Sequence, residues 1–186
     1  MSEPRPLILA SRSPQRSAIL TRLGVSFRAL PTDVSEIETG PPAAAALENA
    51  RRKACAAHDP RRAELVLGVD TVVELAGRIY GKPADEPSAR ATLEALSDQT
   101  HTVISALVLL EGGQERSALT HTQVSFRALT PRLIDWYVAS GEWRGRAGGY
   151  AIQGAGAALV RNVNGDYENV VGLPVATLLD LHPGLL

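Results

Sequence analysis

Short apolar runs alternate with helix-start signals along this chain, and that alternation constrains its fold more than any other feature. The run Pro6 to Ala10 is followed by Ser13 and Pro14, a serine suited to the helix N-cap and a proline suited to the first helical position. Thr130 and Pro131 repeat the signal in the second half of the chain. A strand that passes through a polar turn into a helix is the repeating unit of α/β folds, so the sequence predicts that class.

Two pairs of apolar segments are joined by glycine-containing turns, which predicts antiparallel pairing in the same sheet. Together with the strand–helix units, this pairing predicts a mixed, strongly twisted sheet with flanking helices. The two pairs are Val72 to Glu74 with Arg78 to Tyr80 around Ala76-Gly77, and Thr102 to Leu110 with Glu115 to Leu129 around Gly112-Gly113.

The composition narrows the functional classes. The chain of 186 residues has a formal net charge of −1, so no overall positive field attracts it to DNA, RNA or anionic lipid. The first apolar run is too short for a signal peptide, and no stretch reaches the length of a membrane helix. Cys55 is the single cysteine, which excludes an internal disulfide and a cysteine-rich zinc site. We therefore expect a cytoplasmic protein that binds neither nucleic acid nor membrane.

Polar residues that follow apolar strands are expected at the mouth of an α/β active site. At Ser11 to Arg16 a strand passes into a helix whose first amides, hydroxyls and arginine suit an anion, although a well-capped helix alone explains the segment slightly better. The apolar strand Leu65 to Val69 is predicted to stop at Asp70, where the carboxylate either meets a partner or metal or caps a turn. The glycines of Gly148 to Gly156 either let the backbone approach a ligand or form a bulged turn.

Sequence motifs extend over essentially the whole chain. In order, they are Leu9-Ala10-Ser11-Arg12-Ser13-Pro14-Gln15-Arg16, Gly68-Val69-Asp70-Thr71-Val72-Val73, Gly81-Lys82-Pro83, Leu96-Ser97 followed by His101, Ala147-Gly148-Gly149-Tyr150-Ala151-Ile152-Gln153-Gly154, and Gly165-Asp166-Tyr167 with Val170-Val171-Gly172-Leu173-Pro174. Together they strongly resemble the Maf family, whose members are nucleoside triphosphate pyrophosphatases with a fold similar to that of inosine triphosphate pyrophosphatases. The resemblance implies one domain over residues 1–186, with two lobes around a central cleft. It also implies cleavage between the α- and β-phosphates.

The resemblance further implies a role for each matching residue. Asp70 would be the catalytic carboxylate, as the proton acceptor for the attacking water or as a ligand of a divalent cation, Mg²⁺ or Mn²⁺. Glu36 would share that metal, and Lys53 and Lys82 would hold the triphosphate as point charges. Without the resemblance, Glu36 and both lysines would be interpreted as ordinary surface charges. The residues expected to bind phosphates at the first helix are Ser11, Ser13 and Arg16.

Three positions bear on the choice of substrate. Gln15 stands where the family commonly has the first of two arginines, which removes a charge from this position. Thr71 and Gln153 match the subgroup of the family that uses pyrimidine nucleotides. The resemblance therefore favours dTTP and UTP as substrates.

Other functions stay open at this point. The same chemistry could act on a different or modified nucleotide, such as a methylated one that is cleared from the pool. The chain could also be a binding protein that affects cell division or septum formation, a role associated with the family, or a nucleotide-binding domain without turnover. The retained set of Glu36, Asp70, Lys53 and Lys82 argues for catalysis. The resemblance also makes a homodimer an expected arrangement.

Overall fold

A computed structural model describes residues 7–59, 61 and 64–186, and its central feature is a seven-stranded mixed sheet. The strands are β1 (Leu7–Ala10), β2 (Phe27–Ala29), β3 (Leu65–Leu75), β4 (Arg78–Tyr80), β5 (Thr100–Glu111), β6 (Gln114–Phe126) and β7 (Val160–Asn164). Their order is β2-β1-β3-β5-β6-β7, and β4 pairs with β3. Helices flank this sheet, so the predicted α/β class with a mixed sheet is confirmed.

Helices begin where the sequence carries cap signals. Ser13 accepts a hydrogen bond from the Arg16 amide at the start of the first helix, and Thr130 accepts one from the Leu133 amide at the start of the fourth. Gly141 ends the fourth helix in a left-handed conformation with φ 73°, which glycine adopts at low cost. The helices are α1 (Pro14–Arg22), α2 (Pro42–Ala57), α3 (Glu86–Leu96), α4 (Pro131–Ser140), α5 (Tyr167–Val171) and α6 (Val175–Leu181).

The strand directions agree with the two kinds of connection that the sequence predicts. β1 is parallel to both β2 and β3, and these strands are joined through helices. β3 pairs with β4 and β5 pairs with β6 in antiparallel hairpins, so both predicted hairpins are confirmed. Ala76 and Gly77 turn the first hairpin with φ of 51° and 80°. β6 ends at Phe126 rather than at Leu129, and Leu129 instead lies just before the cap of α4.

The prediction that the apolar strand stops at Asp70 is wrong. β3 continues through Asp70 to Leu75, because the antiparallel partner β5 pairs with it from Val66 to Glu74. On the opposite edge of β3, β1 pairs only as far as Gly68, and β4 pairs only from Val73 onward. In the described part of the sheet, residues 69–72 therefore have no strand beside them on that edge. The opening lies in the middle of a strand edge, and not at a strand end.

The core is divided by the two faces of the sheet. Alternate residues of β3 point to opposite faces, and Val66 and Val72 pack with the alanines of α2 on one of them. On the other face, Leu67 belongs to a cluster with α1 and α6, and Val73 belongs to a second cluster with α3 and α4. Thr71 lies between these two clusters in the sequence of β3. A cleft at this open edge is therefore lined by Thr71 from one face of the sheet and by Asp70 from the other.

Two predictions concern the first strand and the last α-helix. The first apolar run was predicted from Pro6, which lies outside the described residues, and β1 begins at Leu7. The helix predicted after Pro174 is confirmed as α6. Within the described residues, every helix is too short or too polar to cross a membrane.

Candidate active site

A cluster of four charged side chains occupies the α2 face of the open strand edge. The Lys53 Nζ atom lies 2.5 Å from Asp70 Oδ1 and 2.6 Å from Glu36 Oε1. The Lys82 Nζ atom lies 2.9 Å from the other oxygen of Glu36, Oε2. The structure therefore brings together all four residues that the resemblance assigns to catalysis, although they come from α2, β3 and two loops.

Burial differs within this cluster and affects how it is charged. Asp70 and Lys53 are buried, whereas Glu36 is half-buried and Lys82 is exposed. Partial burial by itself disfavours the ionised form of Glu36, but hydrogen bonds and charges from Lys53 and Lys82 outweigh that effect. They lower the pKa of Glu36 from its ordinary value of 4.5 to about 2. Glu36 is therefore ionised at neutral pH, and each of its two oxygens contacts one of the two lysines.

Asn49 completes the cluster, and the sequence analysis missed it. Its Nδ2 atom donates to Asp70 Oδ2 at 3.1 Å and to the Ile37 carbonyl at 3.0 Å, and its Oδ1 accepts from the Ile37 amide at 2.7 Å. Asn49 thus fixes the Asp70 carboxylate and the loop that carries Glu36 at the same time. One signal was available: Asn49 and Lys53 are the two polar residues, four apart, on the alanine-rich buried face of α2.

The beginning of α1 contributes a second set of polar groups. The Ser13 amide donates to the Ser11 hydroxyl at 3.1 Å, and the Ser13 hydroxyl donates to Gln15 Oε1 at 3.1 Å. These bonds hold Gln15 against the helix cap. Ser11, Ser13 and Gln15 all line the cleft, next to the amides of the first helical turn. This arrangement matches what an anion requires at a helix N-terminus.

Arg16 lies beneath this turn, buried, and connects four elements of the site. Its Nε atom donates to the Gly172 carbonyl at 2.9 Å, Nη1 donates to the Ser11 hydroxyl at 3.0 Å, and Nη2 donates to Thr71 Oγ1 at 3.1 Å. Burial lowers the pKa of the guanidinium, and the charges of Asp70 and Glu36 oppose that shift. Phosphate binding by Arg16 stays a prediction. In the structure, Arg16 joins the end of β1 to β3 and to the loop before α6.

The glycine-rich segment forms the opposite wall of the cleft. Gly148 has φ 67°, and its amide donates to the Gly81 carbonyl at 3.1 Å, which joins this segment to the loop of Lys82. Tyr150 is buried at the wall, with its hydroxyl 2.9 Å from His101 Nε2. Gln153 is exposed and lines the same cleft, and its side chain makes no hydrogen bond to another described residue. Its amide is therefore available to a ligand.

These walls enclose a cleft of about 500 Å³ that is positively charged. Among the residues that the structure describes, six cationic side chains line it, against the three carboxylates of Asp33, Glu36 and Asp70. A polyanion of the size of a nucleotide matches that volume and that charge. The cationic residues are Arg12, Arg16, Lys53, Lys82, Arg144 and Arg146. Arg144 and Arg146, in the turn after α4, were missed in the sequence, because a single arginine in a loop carries no motif. Arg12 lies within the first motif but was assigned no role there.

The oxygen atoms of the site suit a hard divalent cation. Among the described residues, His, Cys, Asp and Glu nowhere form a group of three or more that could hold a metal. The two carboxylates that contact Lys53 are Asp70 and Glu36. Mg²⁺ commonly binds proteins through one or two carboxylates and completes its shell with phosphate oxygens and water. Each carboxylate oxygen accepts more than one hydrogen bond or ligand bond, so the lysine contacts leave lone pairs free. The pair therefore fits such an ion.

Comparison with known proteins gives a consistent result. The sequence profile described as "Maf-like protein" matches residues 6–183. A dTTP/UTP pyrophosphatase from Gloeobacter violaceus is 45% identical over 177 residues, which cover 94% of this chain and 93% of that protein. A dTTP/UTP pyrophosphatase from Pyrococcus furiosus is 40% identical over 179 residues, which cover 95% of this chain and 94% of that protein. A protein of the same name from Moorella thermoacetica is 44% identical over 180 residues, with 94% and 92% covered.

Proposed function

Since the chain belongs to the Maf-like protein family, we propose that it hydrolyses dTTP and UTP to the nucleoside monophosphate and pyrophosphate. The observation that carries this proposal is the contact of Lys53 with both Asp70 and Glu36 at an open strand edge inside a cationic cleft. A carboxylate pair with lysines suits phosphoryl transfer, which depends on charge neutralisation and positioning more than on covalent catalysis. The names of the relatives supply the two substrates.

Asp70 is the proton acceptor in this proposal. Hydrolysis between the α- and β-phosphates forms a bond from a water oxygen to the α-phosphorus, while the bond from that phosphorus to the bridging oxygen breaks and pyrophosphate leaves. The attacking water loses a proton to a carboxylate oxygen of Asp70. Lys53 and Asn49 each occupy one oxygen and hold the carboxylate in a single orientation, yet each oxygen retains a lone pair for the water.

The cationic side chains stabilise the charge that moves onto the leaving group. Lys53 and Lys82 lie on either side of Glu36, and both are within reach of an anion in the cleft. The first turn of α1 supplies amides and the hydroxyls of Ser11 and Ser13 to phosphate oxygens. These groups are already in position before substrate binds, so they stabilise the transition state without reorganisation.

We further propose that Asp70 and Glu36 hold a divalent cation, Mg²⁺ or Mn²⁺, together with the phosphates of the substrate. When bound, such an ion neutralises phosphate charge and makes water more acidic. The support for this proposal is the pair of carboxylates, both in contact with Lys53, and the low pKa of Glu36. The expected consequence is that a chelator abolishes turnover and that added Mg²⁺ or Mn²⁺ restores it.

The product identifies the bond that breaks. The purified protein is incubated with UTP, dTTP, CTP and GTP, and with methylated pyrimidine triphosphates, in H₂¹⁸O. We expect pyrophosphate without stepwise orthophosphate, with the isotope in the monophosphate. Asp70→Asn should lower kcat by at least about 100-fold, since an amide keeps the volume of the side chain but accepts a proton poorly.

Asp135→Asn serves as the matched control, because this aspartate pairs with Arg90 on the surface of α4, away from the cleft. It should retain the wild-type rate. Orthophosphate released step by step, or full activity in Asp70→Asn with an unchanged melting temperature, would contradict the proposal. Preferential hydrolysis of a methylated nucleotide would retain the chemistry and replace the substrate.

The cytoplasmic location and the homodimer that the sequence predicts also remain proposals. The single cysteine, Cys55, is a free and exposed thiol, which is consistent with a reducing compartment. Sedimentation equilibrium of the purified chain tests the homodimer directly. A mass near 19.7 kDa at all concentrations would exclude it.

A further inference from the structure

Arg146 occupies a rigid position in the wall of the cleft. Its amide donates to the Trp143 carbonyl at 3.2 Å, and its carbonyl accepts from the Gly149 amide at 3.0 Å. Two residues later, the Gly148 amide is bonded to the Gly81 carbonyl, next to Lys82. The backbone therefore brings Arg146 and Lys82 to the same part of the cleft, and the Arg146 side chain lines it.

The other cationic side chains of the cleft have partners within the protein. Lys53 contacts Asp70 and Glu36, Lys82 contacts Glu36, and all three nitrogens of the Arg16 guanidinium donate a hydrogen bond, as described above. Arg12 lies 3.8 Å from Asp33. Arg144 lies 3.6 Å from Glu86 and stacks over the Trp143 ring, with its Cζ 4.5 Å from the ring centroid.

Arg146 differs from these five residues, because it makes no side-chain hydrogen bond or ion pair to any described residue. Its Nε atom is buried and has no hydrogen-bond partner. A guanidinium has five N–H donors and accepts no hydrogen bonds, so only an acceptor can satisfy it. A buried donor without a partner is costly. The carboxylates that line the cleft contact Arg12, Lys53 and Lys82, so none of them pairs with Arg146, and an anionic ligand in the cleft can supply the acceptor.

We propose that Arg146 binds anionic oxygens of the substrate triphosphate and retains them in the pyrophosphate product. This inference rests on the proposed function and adds a ligand residue to it. The planar fork of arginine pairs with two phosphate oxygens at once, which a lysine does not do. Arg146 is a binding residue here, and it takes no part in proton transfer.

Pyrophosphate binding tests the inference without any need for turnover. Inorganic pyrophosphate is titrated calorimetrically into the wild type, Arg146→Gln and Arg146→Lys in the presence of Mg²⁺, and uridine is titrated in parallel. We expect Arg146→Gln to weaken pyrophosphate binding and to raise KM for UTP by at least about tenfold, the typical effect of losing a hydrogen bond to a charged group. Arg146→Lys should be intermediate, because the charge remains and the fork is lost. Uridine binding should not change.

Arg132→Gln is the charge-matched control, since this arginine is exposed on α4 and does not line the cleft. It should bind pyrophosphate as the wild type does. Unchanged pyrophosphate affinity in Arg146→Gln would overturn the inference, and so would an equal loss in Arg132→Gln. If the wild type hydrolyses neither UTP nor dTTP while pyrophosphate binding still depends on Arg146, the proposed function is wrong, and only the binding of phosphate anions by Arg146 stands.

Discussion

Gln153 is the residue that we predict to read the base of the nucleotide. It is exposed in the cleft wall and engages no other described side chain, so its amide can offer one donor and one acceptor. Uracil and thymine present an N3–H donor between two carbonyl acceptors, which an amide matches. Guanine presents two adjacent donors, N1–H and the amine, for which a carboxylate is the better partner.

Gln153→Glu should therefore lower kcat/KM for UTP and dTTP and raise the relative use of GTP. A lost hydrogen bond costs on the order of 1–3 kcal/mol, or roughly ten- to a hundredfold in kcat/KM. The measurement is kcat/KM for UTP, dTTP, CTP and GTP. Gln99→Glu, an exposed position outside the cleft, controls for the added charge. If the order of preference stays the same, Gln153 does not read the base.

His101 makes the stability of the fold depend on pH. Burial lowers its pKa from 6.5 to about 4, so the folded protein keeps this ring neutral at neutral pH. An unfolded chain protonates histidine near its ordinary value. Between these two values the unfolded state binds a proton that the folded state lacks, so the free energy of unfolding falls as the pH is lowered. Above about pH 6.5 the ring is neutral in both states, so His101 no longer reduces the free energy of unfolding.

When the pH is lowered from about 7.5 to about 5, we expect this histidine alone to reduce the free energy of unfolding by about 2 kcal/mol. Urea titrations at both values measure the loss. His101→Gln should reduce the difference between the two pH values, whereas His121→Gln, at an exposed position on β6, should leave it unchanged. If the free energy of unfolding of His101→Gln falls between the two pH values as much as that of the wild type does, then other groups cause the acid sensitivity.

At the scale of residues, the sequence indicated the chemically active side chains better than it indicated their contacts. Asp70, Glu36, Lys53 and Lys82 were assigned through motifs, and the structure brings them into one cluster. Asn49 and Arg146 were missed for a physical reason. Asn49 is recognised only from the elements that α2 packs against, and Arg146 only from the absence of a hydrogen-bond partner for its side chain. Neither property is visible in a local sequence pattern.

At the scale of elements, the packing of α2 against β3 determines the geometry of the charged cluster around Asp70. Gly68 allows this fit, because a Cβ atom there would lie 2.1 Å from the Ala50 carbonyl oxygen and 2.8 Å from the Ala54 Cβ. α2 carries Lys53 and Asn49, and both contact Asp70 two residues beyond Gly68. A displacement of the helix would therefore move both partners of the catalytic carboxylate.

Gly68→Ala should reduce both stability and activity. Overpacking in a closely packed core costs about 1–3 kcal/mol, and a 1 Å misplacement of a catalytic group costs roughly 100-fold in rate. The measurements are urea unfolding and kcat for UTP. Gly184→Ala is the control, since a Cβ there would make only an ordinary contact of 3.7 Å with His182. Wild-type activity in Gly68→Ala would mean that the spacing between α2 and β3 does not limit catalysis.

The course of β3 shows why an element is harder to predict than a cap or a turn. The apolar run ends at Val69, so the sequence predicted the end of a strand before Asp70. Two polar residues continue the strand because each has a partner outside it: Lys53 for Asp70, and the Ser105 hydroxyl at 2.8 Å for Thr71. Those partners are distant in sequence. The cap signal at Ser13 and the turn signal at Ala76-Gly77 are local and were therefore predicted correctly.

At the scale of the whole molecule, the cleft lies where three parts of the core approach one another. Tyr150 belongs to the cluster with α3 and α4, Ala10 to the cluster on α2, and Val171 packs against the cluster with α1 and α6. All three residues line the cleft. A ligand in the cleft therefore contacts each part of the core, and its binding free energy adds to the stability of the whole fold.

A nucleotide analogue that cannot be cleaved should therefore raise the melting temperature of the entire protein. At a concentration of 100 times Kd, α,β-methylene-UTP adds about 2.7 kcal/mol. For a chain of this size, each kcal/mol corresponds to about 2–4 °C, so we expect a rise of roughly 5–11 °C in one cooperative transition. The measurement is calorimetry with Mg²⁺ and, separately, with a chelator, where the rise should shrink if the proposed metal helps to hold the phosphates. The matched guanine analogue at the same concentration should produce a smaller rise. Equal rises with both analogues would refute recognition of the pyrimidine base, and a rise that the chelator does not reduce would refute the shared metal at Asp70 and Glu36.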